Sequence, residues 1–182
     1  KQKIPAVIVA NKIDLVDHAK SIFGLYEKIG YLAVYTSAKN RNGLDELKKI
    51  LAGKISAFAG PSGAGKSSLL NAIQPGLGLA VNEVSTAMNK GKHTTVTREL
   101  FALDGGGFVA DTPGWKSLAL WDTTPEEMDA YFPELRDLVQ HCQFSDCTHI
   151  HEPGCAVRAA LEAGKIHPKR FDSYLRLRAG QE

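Results

Sequence analysis

Nine consecutive residues, 60–68, have the types and spacing of a phosphate-binding loop. They read Gly-Pro-Ser-Gly-Ala-Gly-Lys-Ser-Ser and fit the pattern G-x-x-x-x-G-K-[ST]. The glycines allow tight turns in which N–H groups converge on an anion, and the N-terminus of a following helix adds its positive dipole end. Lys66 is then expected to reach the β- and γ-phosphates of a nucleotide, and the Ser67 hydroxyl to bind Mg²⁺. The expected nucleotide-binding residues are Gly60, Pro61, Ser62, Gly63, Ala64, Gly65, Lys66, Ser67 and Ser68.

Two motifs upstream of this loop have the chemistry to recognise guanine. The Asp14 carboxylate can accept both the ring N–H and the exocyclic amine of guanine, whereas adenine presents the wrong pattern. The Lys12 stem can lie over the base, Asn11 can join neighbouring loops, and a backbone N–H of residues 37–39 can reach the guanine carbonyl. Each motif is weak alone, but with the phosphate loop they predict guanine specificity. The expected residues are Asn11, Lys12, Asp14, Ser37, Ala38 and Lys39.

Residues after the loop supply candidates for Mg²⁺ and for the γ-phosphate. Asp111 is expected to hold the metal, usually through water, and the Gly114 N–H to meet the γ-phosphate. Asp-Thr-Pro-Gly also forms ordinary turns, which is the alternative reading of this segment. Thr94 or Thr95 is the candidate threonine that completes Mg²⁺ coordination, and the sequence does not choose between them.

The residue that follows Gly114 bears on hydrolysis. Ras-like enzymes carry there a glutamine that orients the attacking water, whereas this chain has Trp115. We therefore expect slow intrinsic hydrolysis unless another group or a partner positions the water. His93 is the candidate catalytic substitute because histidine has suitable hydrogen-bonding geometry, and the alternative is a solvated loop histidine.

All three cysteines lie between 142 and 155, and with one histidine they form a candidate zinc site. The pattern Cys142-x₄-Cys147-x-His149-x₅-Cys155 offers a Cys₃His set for one tetrahedral Zn²⁺, and four protein ligands predict a structural role. His141 or His151 could replace His149, or the cysteines could simply be buried. An odd number of clustered cysteines argues against a disulfide framework and favours a reducing, cytoplasmic setting.

Strands and helices alternate around the phosphate loop, which predicts a doubly wound α/β sheet. We expect strands over 5–10, 31–35, 55–59, 96–103 and 107–110, the first buried on both faces and the last two forming a hairpin. Helices are expected from after Asp17 to about 29, over 44–51, after the loop, from 124 to about 140, over 156–163 and over 168–177. Residues 74–92 show no sustained hydrophobic periodicity, which predicts a mobile segment. The expected domains are a GTPase domain over 1–122 and a helical zinc-binding domain over 123–182.

Composition leaves the partner open. The 182 residues carry a net charge of +2, with 43% apolar and 23% charged residues, as in ordinary globular proteins. No apolar run approaches the ~20 residues of a membrane helix, so we expect no membrane partner, and we expect a monomer. Basic residues in the C-terminal part could meet RNA phosphates or form a solvated helical face. They are Arg158, Lys165, His167, Lys169, Arg170, Arg176 and Arg178.

The motifs occur in a circularly permuted order. Ras-like GTPases place Asn-Lys-x-Asp and Ser-Ala-Lys last, whereas here both precede the phosphate loop. Permutation is possible because chain termini often lie close together. This order, with Gly91-Lys92-His93-Thr94-Thr95, Asp111-Thr112-Pro113-Gly114-Trp115 and the Cys/His cluster, closely resembles the RsgA (YjeQ/YloQ) family of bacterial ribosome-associated GTPases over essentially the whole chain.

The resemblance implies a slow GTPase that is stimulated by the small ribosomal subunit and acts late in its maturation. It also implies GTP and GDP as ligands, Mg²⁺ with GTP, a structural zinc and ribosome contact. The family has an N-terminal OB-fold domain that the chain does not show, and the chain looks like the middle and end of a longer protein. One strand of the family sheet would precede Lys1, so we expect a gap in the sheet.

Two other functions compete with the GTPase switch. A zinc-containing RNA-binding module with a guanine-nucleotide sensor of negligible turnover would use the same motifs. A P-loop kinase would use the phosphate loop, but it leaves the guanine motif at residues 11–14 unexplained.

Overall fold

The computed structural model describes residues 4–79, 99–111 and 123–180, which form two compact units. The first unit contains 4–27, 31–79 and 99–111, and the second contains 28–30 and 123–180. The predicted domain boundary after residue 122 falls outside the described residues and stays a prediction.

Five strands of the first unit form two separate sheets. Strand β1 (Val7–Ala10) pairs in parallel with β2 (Leu32–Tyr35). Strand β3 (Lys54–Phe58) pairs in parallel with β5 (Gly107–Asp111), which pairs antiparallel with β4 (Glu99–Ala102). Within the described residues no ladder joins β1–β2 to β3–β5–β4, which agrees with the predicted gap in the sheet.

The prediction that β1 is buried on both faces was wrong. Val7, Ile8 and Val9 are half-buried, and only Ala10 is fully buried. In the described part of the chain β1 has one neighbouring strand, so its other edge has no ladder to cover it. Ile55 of β3 is also 77% exposed, because the covering helices pack on the opposite face of that strand's sheet.

The first unit has three described helices, of which the second and the third contribute to its core. They are α1 (Ala19–Lys28), α2 (Leu44–Leu51) and α3 (Lys66–Ile73). The spacing of Leu44, Leu47 and Leu51 places all three leucines on one face of α2, where they are buried. This face packs with α3 and with Val34 and Val109 of the two ladders, so a single apolar core supports both.

The start of the segment predicted as mobile is ordered. Pro75–Leu77 form a 3-10 helix directly after α3. The Asn71 side chain donates to the Leu79 carbonyl at 2.8 Å and accepts from the Leu79 N–H at 2.9 Å. These two bonds hold the chain against α3, and the rest of the segment, 80–92, lies outside the described residues.

The predicted hairpin between β4 and β5 is confirmed, and its turn requires glycine. Gly106 and Gly107 have φ of 79° and 90°. A Cβ atom on Gly107 would lie 2.4 Å from the Lys54 carbonyl oxygen, whereas one on Gly105 would meet nothing within 4 Å. The neighbouring strand therefore excludes a side chain at position 107.

The second unit contains a 3-10 helix (Pro125–Tyr131) and helices α4 (Pro133–Val139), α5 (Ala156–Glu162) and α6 (Pro168–Arg178). The single helix predicted from 124 to 140 is wrong, because the chain breaks at Phe132, with φ −100° and ψ 105°. Pro133 disfavours the helical conformation of the residue before it. The predicted capping box at Thr124 is confirmed, since its N–H donates to Glu127 Oε2 at 3.4 Å.

Candidate functional site

The phosphate loop has the strand–loop–helix setting that the sequence predicts. It runs from the end of β3 to the first residue of α3, Lys66. Gly60, Gly63 and Gly65 all have positive φ, and a Cβ on Gly65 would lie 2.6 Å from Asn11 Nδ2. Lys66 Nζ donates to the carbonyls of Gly60 at 2.7 Å and Pro61 at 3.0 Å, so the ammonium group lies over the loop.

The first guanine motif contacts the phosphate loop directly. Asn11 Nδ2 donates to the Ala64 carbonyl at 3.1 Å, and Lys12 Nζ donates to the Gly63 carbonyl at 2.6 Å. Lys12 has a left-handed backbone, with φ 64°, and precedes the 3-10 helix Ile13–Leu15. These contacts place the residues predicted to recognise the base beside those predicted to bind phosphate.

The second guanine motif orients the first. Ser37 is fully buried, and its hydroxyl donates to Asp14 Oδ1 at 2.5 Å while accepting the Asn40 N–H at 3.0 Å. The hydrogen bond from Ser37 holds the pKa of Asp14 below its usual value, with smaller contributions from Lys39 and Lys12. The carboxylate therefore stays ionised, as an acceptor of base N–H groups.

Asn11 also accepts hydrogen bonds from the two residues that flank Ser37. Its Oδ1 accepts from Thr36 Oγ1 at 3.2 Å and from the Ala38 N–H at 3.3 Å. Thr36, which is fully buried, was not among the predicted site residues, because a buried threonine at a strand end carries no distinctive pattern. The Asn11 side chain thus joins three loops in one network.

The predicted magnesium and hydrolysis residues are described only in part. Asp111 ends β5 in register with Phe58 of β3 and Glu99 of β4, so its backbone lies beside the strand that enters the phosphate loop. His93, Thr94, Thr95, Gly114 and Trp115 lie outside the described residues. Their roles stay predictions.

The predicted zinc ligands form one group in the second unit. One ligand atom each from Cys142, Cys147, His149 and Cys155 lies within 4.8 Å of the others. Cys142 Sγ is 3.9 Å from Cys155 Sγ, and His149 Nδ1 is 3.6 Å from Cys142 Sγ and 3.4 Å from Cys155 Sγ. A tetrahedral zinc with its usual bond lengths would separate two sulfurs by about 3.8 Å and nitrogen from sulfur by about 3.6 Å. The group could therefore hold a metal ion of this size.

The other candidate histidines are placed differently. His141 and His151 are exposed, and neither belongs to the group of four.

Burial raises the pKa of the Cys147 thiol to about 12. Because a buried thiolate needs a compensating positive charge, this donor set suits a cation.

Glu152 organises the loop that carries His149. Its carboxylate accepts the N–H groups of Thr148 at 2.8 Å, Ile150 at 3.0 Å and His151 at 3.1 Å, together with the Thr148 hydroxyl. These bonds, that of the hydroxyl above all, hold the pKa of Glu152 far below its usual value. They also fix the turn in which His149 has a left-handed backbone, with φ 64°.

Two further residues, neither of them among the predicted site residues, support the metal group. Asp129 Oδ2 lies 3.4 Å from His149 Nε2, and the Tyr174 hydroxyl donates to the Thr148 carbonyl at 3.0 Å. Asp129 precedes His149 by twenty residues and Tyr174 follows it by twenty-five, and no motif spacing connects them. Only the packing of the helices brings them together.

Several basic residues of the second unit make contacts within it. Arg170 pairs with Glu134 at 2.6 Å and its guanidinium lies 4.6 Å from the centre of the Phe132 ring. Arg178 Nη1 donates to the Pro125 carbonyl at 2.6 Å. Both arginines therefore have structural contacts that a sequence count of basic residues does not reveal. Arg158 and Arg176 pair more loosely with carboxylates four residues away on the same helices.

The fold and site together define a circularly permuted P-loop GTPase fold, followed by a small helical unit with a Cys₃His group. The base-recognition motifs precede the phosphate loop in the chain and contact it in space. The family model of RsgA GTPase matches residues 1–121, and the chain belongs to this family. None of the described helices is long and apolar enough to cross a membrane.

Relatives and solved structures agree with this assignment. The small ribosomal subunit biogenesis GTPase RsgA of Moorella thermoacetica is 53% identical over 175 residues, which cover 96% of this chain and 60% of the relative. The Thermotoga neapolitana protein of the same name is 47% identical and covers 97% and 61%. The crystal structure of YjeQ from Thermotoga maritima matches with a TM-score of 0.80 and 42% identity, over 98% of this chain and 60% of that one.

A second solved structure, that of YloQ, is described as a circularly permuted GTPase. It matches with a TM-score of 0.72 and 34% identity, over 96% of this chain and 56% of its own. The chain thus spans about three fifths of the length of the curated relatives it matches.

Proposed function

We propose that this chain binds GTP and GDP and hydrolyses GTP slowly, as a switch that assists late maturation of the small ribosomal subunit. The observation that carries the proposal is the contact of Asn11 and Lys12 with the phosphate loop, beside an Asp14 carboxylate held ionised by Ser37. This arrangement suits a ligand with a guanine base at one end and phosphates at the other. The names of the relatives supply the ribosomal part of the proposal.

The phosphate loop would bind the triphosphate through backbone N–H groups and the N-terminus of α3. Lys66 would exchange its present carbonyl partners for the β- and γ-phosphates, which needs only a movement of its flexible side chain. Ser67, the second residue of α3, would hold Mg²⁺ together with Asp111 and with Thr94 or Thr95. Gly114 would donate to the γ-phosphate.

Hydrolysis by this chain would depend on how the attacking water is positioned. Trp115 stands where the water-orienting glutamine of Ras-like enzymes would be, so a slow intrinsic rate follows. His93 is our candidate for the missing polar group, and contact with the ribosomal subunit would bring it or another group into place. The subunit would then act as the activator of the switch.

The second unit would hold one structural zinc through Cys142, Cys147, His149 and Cys155. Distances close to those of a tetrahedral site support this choice. Four protein ligands complete the coordination of a tetrahedral ion, so the metal would stabilise the fold rather than take part in hydrolysis.

Contact with rRNA phosphates would come from basic side chains of the second unit. Arg170 and Arg178 already bind groups within the second unit, so Lys165 and Lys169, both exposed, are the better candidates for phosphate contact. A cytoplasmic location agrees with the reducing setting that three cysteines without disulfides favour, and we expect the chain to be a monomer.

Binding of a fluorescent GDP analogue, and GTP turnover with and without purified small subunits, test the proposal. We expect binding by the chain, slow turnover alone and faster turnover with subunits. Lys66→Ala should abolish both turnover rates, whereas Lys49→Ala, an exposed lysine on α2, should change neither. Equal turnover with and without subunits, in protein that binds GDP, would refute the switch.

The same measurements separate the second candidate, an RNA-binding zinc module with a guanine-nucleotide sensor. Trp115 is the observation that favours it, because a site without a water-orienting group turns over slowly. Subunit binding that depends on GTP, with no turnover under any condition, would support this candidate. A P-loop kinase would instead transfer phosphate to a small acceptor and would not need Asp14.

A further inference from the structure

We propose that Asp129 is a positioning residue of the metal site, whose carboxylate fixes the His149 ring so that Nδ1 binds the ion. The inference rests on the proposed zinc site. Asp129 is not one of the four ligands, and it lies in the 3-10 helix Pro125–Tyr131, outside the loop that carries them.

The two nitrogens of the His149 ring face opposite partners. Nδ1 lies 3.4 Å from Cys155 Sγ and 3.6 Å from Cys142 Sγ, whereas Nε2 lies 3.4 Å from Asp129 Oδ2. The His149 side chain is completely buried, and that of Asp129 is 16% exposed. The ring thus lies between the thiol group and one carboxylate, with little access for water.

The chemistry of a carboxylate decides which ring nitrogen carries the proton. A carboxylate oxygen is a hydrogen-bond acceptor, so a hydrogen bond between Nε2 and Asp129 Oδ2 requires Nε2 to be the N–H donor. In the neutral ring Nδ1 then presents its lone pair to the space between the sulfurs, where a metal would lie. The other tautomer would place a lone pair against the carboxylate and an N–H group at the metal position.

Other contacts fix the position of the ring without choosing its tautomer. The Tyr174 ring lies 5.9 Å from the His149 ring, with an angle of 46° between the planes. Glu152 holds the turn of the backbone around His149. Neither contact provides a hydrogen-bond acceptor for Nε2. Removal of Asp129 should therefore change the protonation of the ring nitrogens and the metal affinity more than it changes the fold. Carboxylates that accept from a metal-binding histidine also raise its basicity as a ligand.

The test uses zinc-loaded protein labelled with ¹⁵N-histidine. Two-bond proton–nitrogen spectra report which nitrogen of His149 carries the proton, and competition with a chelator of known affinity reports zinc binding. In the unmodified chain we expect metal at Nδ1 and a protected proton on Nε2. Asp129→Ala should weaken zinc binding by about 10- to 100-fold and expose the Nε2 proton to rapid exchange.

Two further variants make the result specific. Asparagine has nearly the same shape as aspartate, and its amide oxygen can still accept the His149 Nε2–H group. Asp129→Asn should therefore keep the proton on Nε2 and lose less zinc affinity than Asp129→Ala. Asp172→Ala removes an exposed carboxylate of the same unit, which pairs with Arg176 at 3.2 Å, and should behave like the unmodified chain. If Asp129→Ala does not fold, Asp129→Asn still carries the affinity and tautomer measurements.

Metal at Nε2 in the unmodified chain, full zinc affinity in the Asp129 variants, or an unchanged Nε2 proton in Asp129→Ala would each overturn the inference while leaving the zinc site intact. An unmodified chain that binds no zinc would overturn both the inference and the proposed metal site. GTP turnover is not a readout of this experiment, so its outcome does not depend on the nucleotide proposal.

Discussion

The Asp14 carboxylate, which is predicted to recognise guanine, is oriented and kept ionised by its hydrogen-bond partners. A chain of hydrogen bonds leads from the Asn40 N–H through the buried Ser37 hydroxyl to Asp14 Oδ1. Because Ser37 donates to Asp14, it favours the ionised form of that carboxylate. Two predictions follow at the level of this pair of residues.

Replacement of Asp14 by asparagine should exchange guanine for xanthine as the preferred base. The amide oxygen can still accept the ring N–H, but the amide nitrogen faces the exocyclic amine of guanine, whereas xanthine offers a carbonyl there. We expect GDP affinity to fall by about 100-fold or more, since one hydrogen bond to a charged group is lost and a donor is left unpaired. Titration with fluorescent GDP and XDP measures the change, with Asp17→Asn as the exposed control. An Asp14→Asn chain that still prefers GDP would contradict the role of Asp14.

The pH dependence of GDP binding should report the Ser37 hydrogen bond. The pKa of Asp14 is lowered mainly by Ser37, so the ionised form, and with it GDP affinity, persists as pH falls toward the ordinary carboxyl pKa of about 4. In Ser37→Ala that pKa rises, and the loss of affinity should begin at higher pH. Affinities between about pH 8 and pH 4.5, each normalised to its own value at neutral pH, test this. Superimposable profiles would show that Ser37 does not set the ionisation of Asp14.

At the level of the elements, the hairpin turn offers a clean test of backbone geometry. Gly107→Ala should destabilise the first unit by about 1–3 kcal/mol, because its φ of 90° is strained for alanine and the Cβ would meet the Lys54 backbone. Gly105→Ala, in the same turn but with open space around it, is the matched control. Chemical denaturation of both variants measures the difference, and equal midpoints would contradict the steric explanation.

The link between α6 and the metal loop is also testable. Tyr174→Phe removes the hydroxyl that donates to the Thr148 carbonyl and leaves that carbonyl without this partner. We expect a loss of about 1–3 kcal/mol in the free energy of unfolding of the second unit. Thermal unfolding followed by near-ultraviolet circular dichroism measures it, with the half-buried Tyr131→Phe for comparison. No difference between the two variants would mean that the bond contributes little.

Local signals predicted most of the elements well, and long-range packing accounts for most of what they missed. The glycine loop, the period of the leucines in α2 and the Asp-Gly-Gly turn are encoded over a few residues, and each corresponds to an observed element. The break at Phe132 was also encoded locally by Pro133, but the capping box at Thr124 favoured one continuous helix. The Asp129–His149 contact has no local signal, because it depends on how the 3-10 helix packs against the metal loop.

At the scale of the whole molecule, each unit has its own apolar core. Leu69, Leu70 and Val109 belong to the core of the first unit, and Leu135, Val157 and Tyr174 to that of the second. The candidate nucleotide site draws its described residues from the first unit and the metal site from the second. The two activities should therefore be separable.

Removal of zinc should affect the two units differently. A strong chelator should unfold the second unit, because the proposed zinc would hold its loop between α4 and α5, and helical circular dichroism should fall. GDP affinity should change by less than about threefold, since no described metal ligand belongs to the nucleotide site. Loss of GDP binding on chelation would show that the units are energetically coupled.

The divided sheet has a consequence for ligand binding itself. The strand that leads to Asp14 and the strand that leads to Lys66 are joined by side-chain hydrogen bonds and a shared apolar core, without a described β-ladder between them. Packed apolar surfaces permit small sliding movements that a ladder of backbone bonds would resist. A guanine nucleotide, whose base and phosphates are linked through one ribose, would then act as a spacer that limits the separation of the two halves.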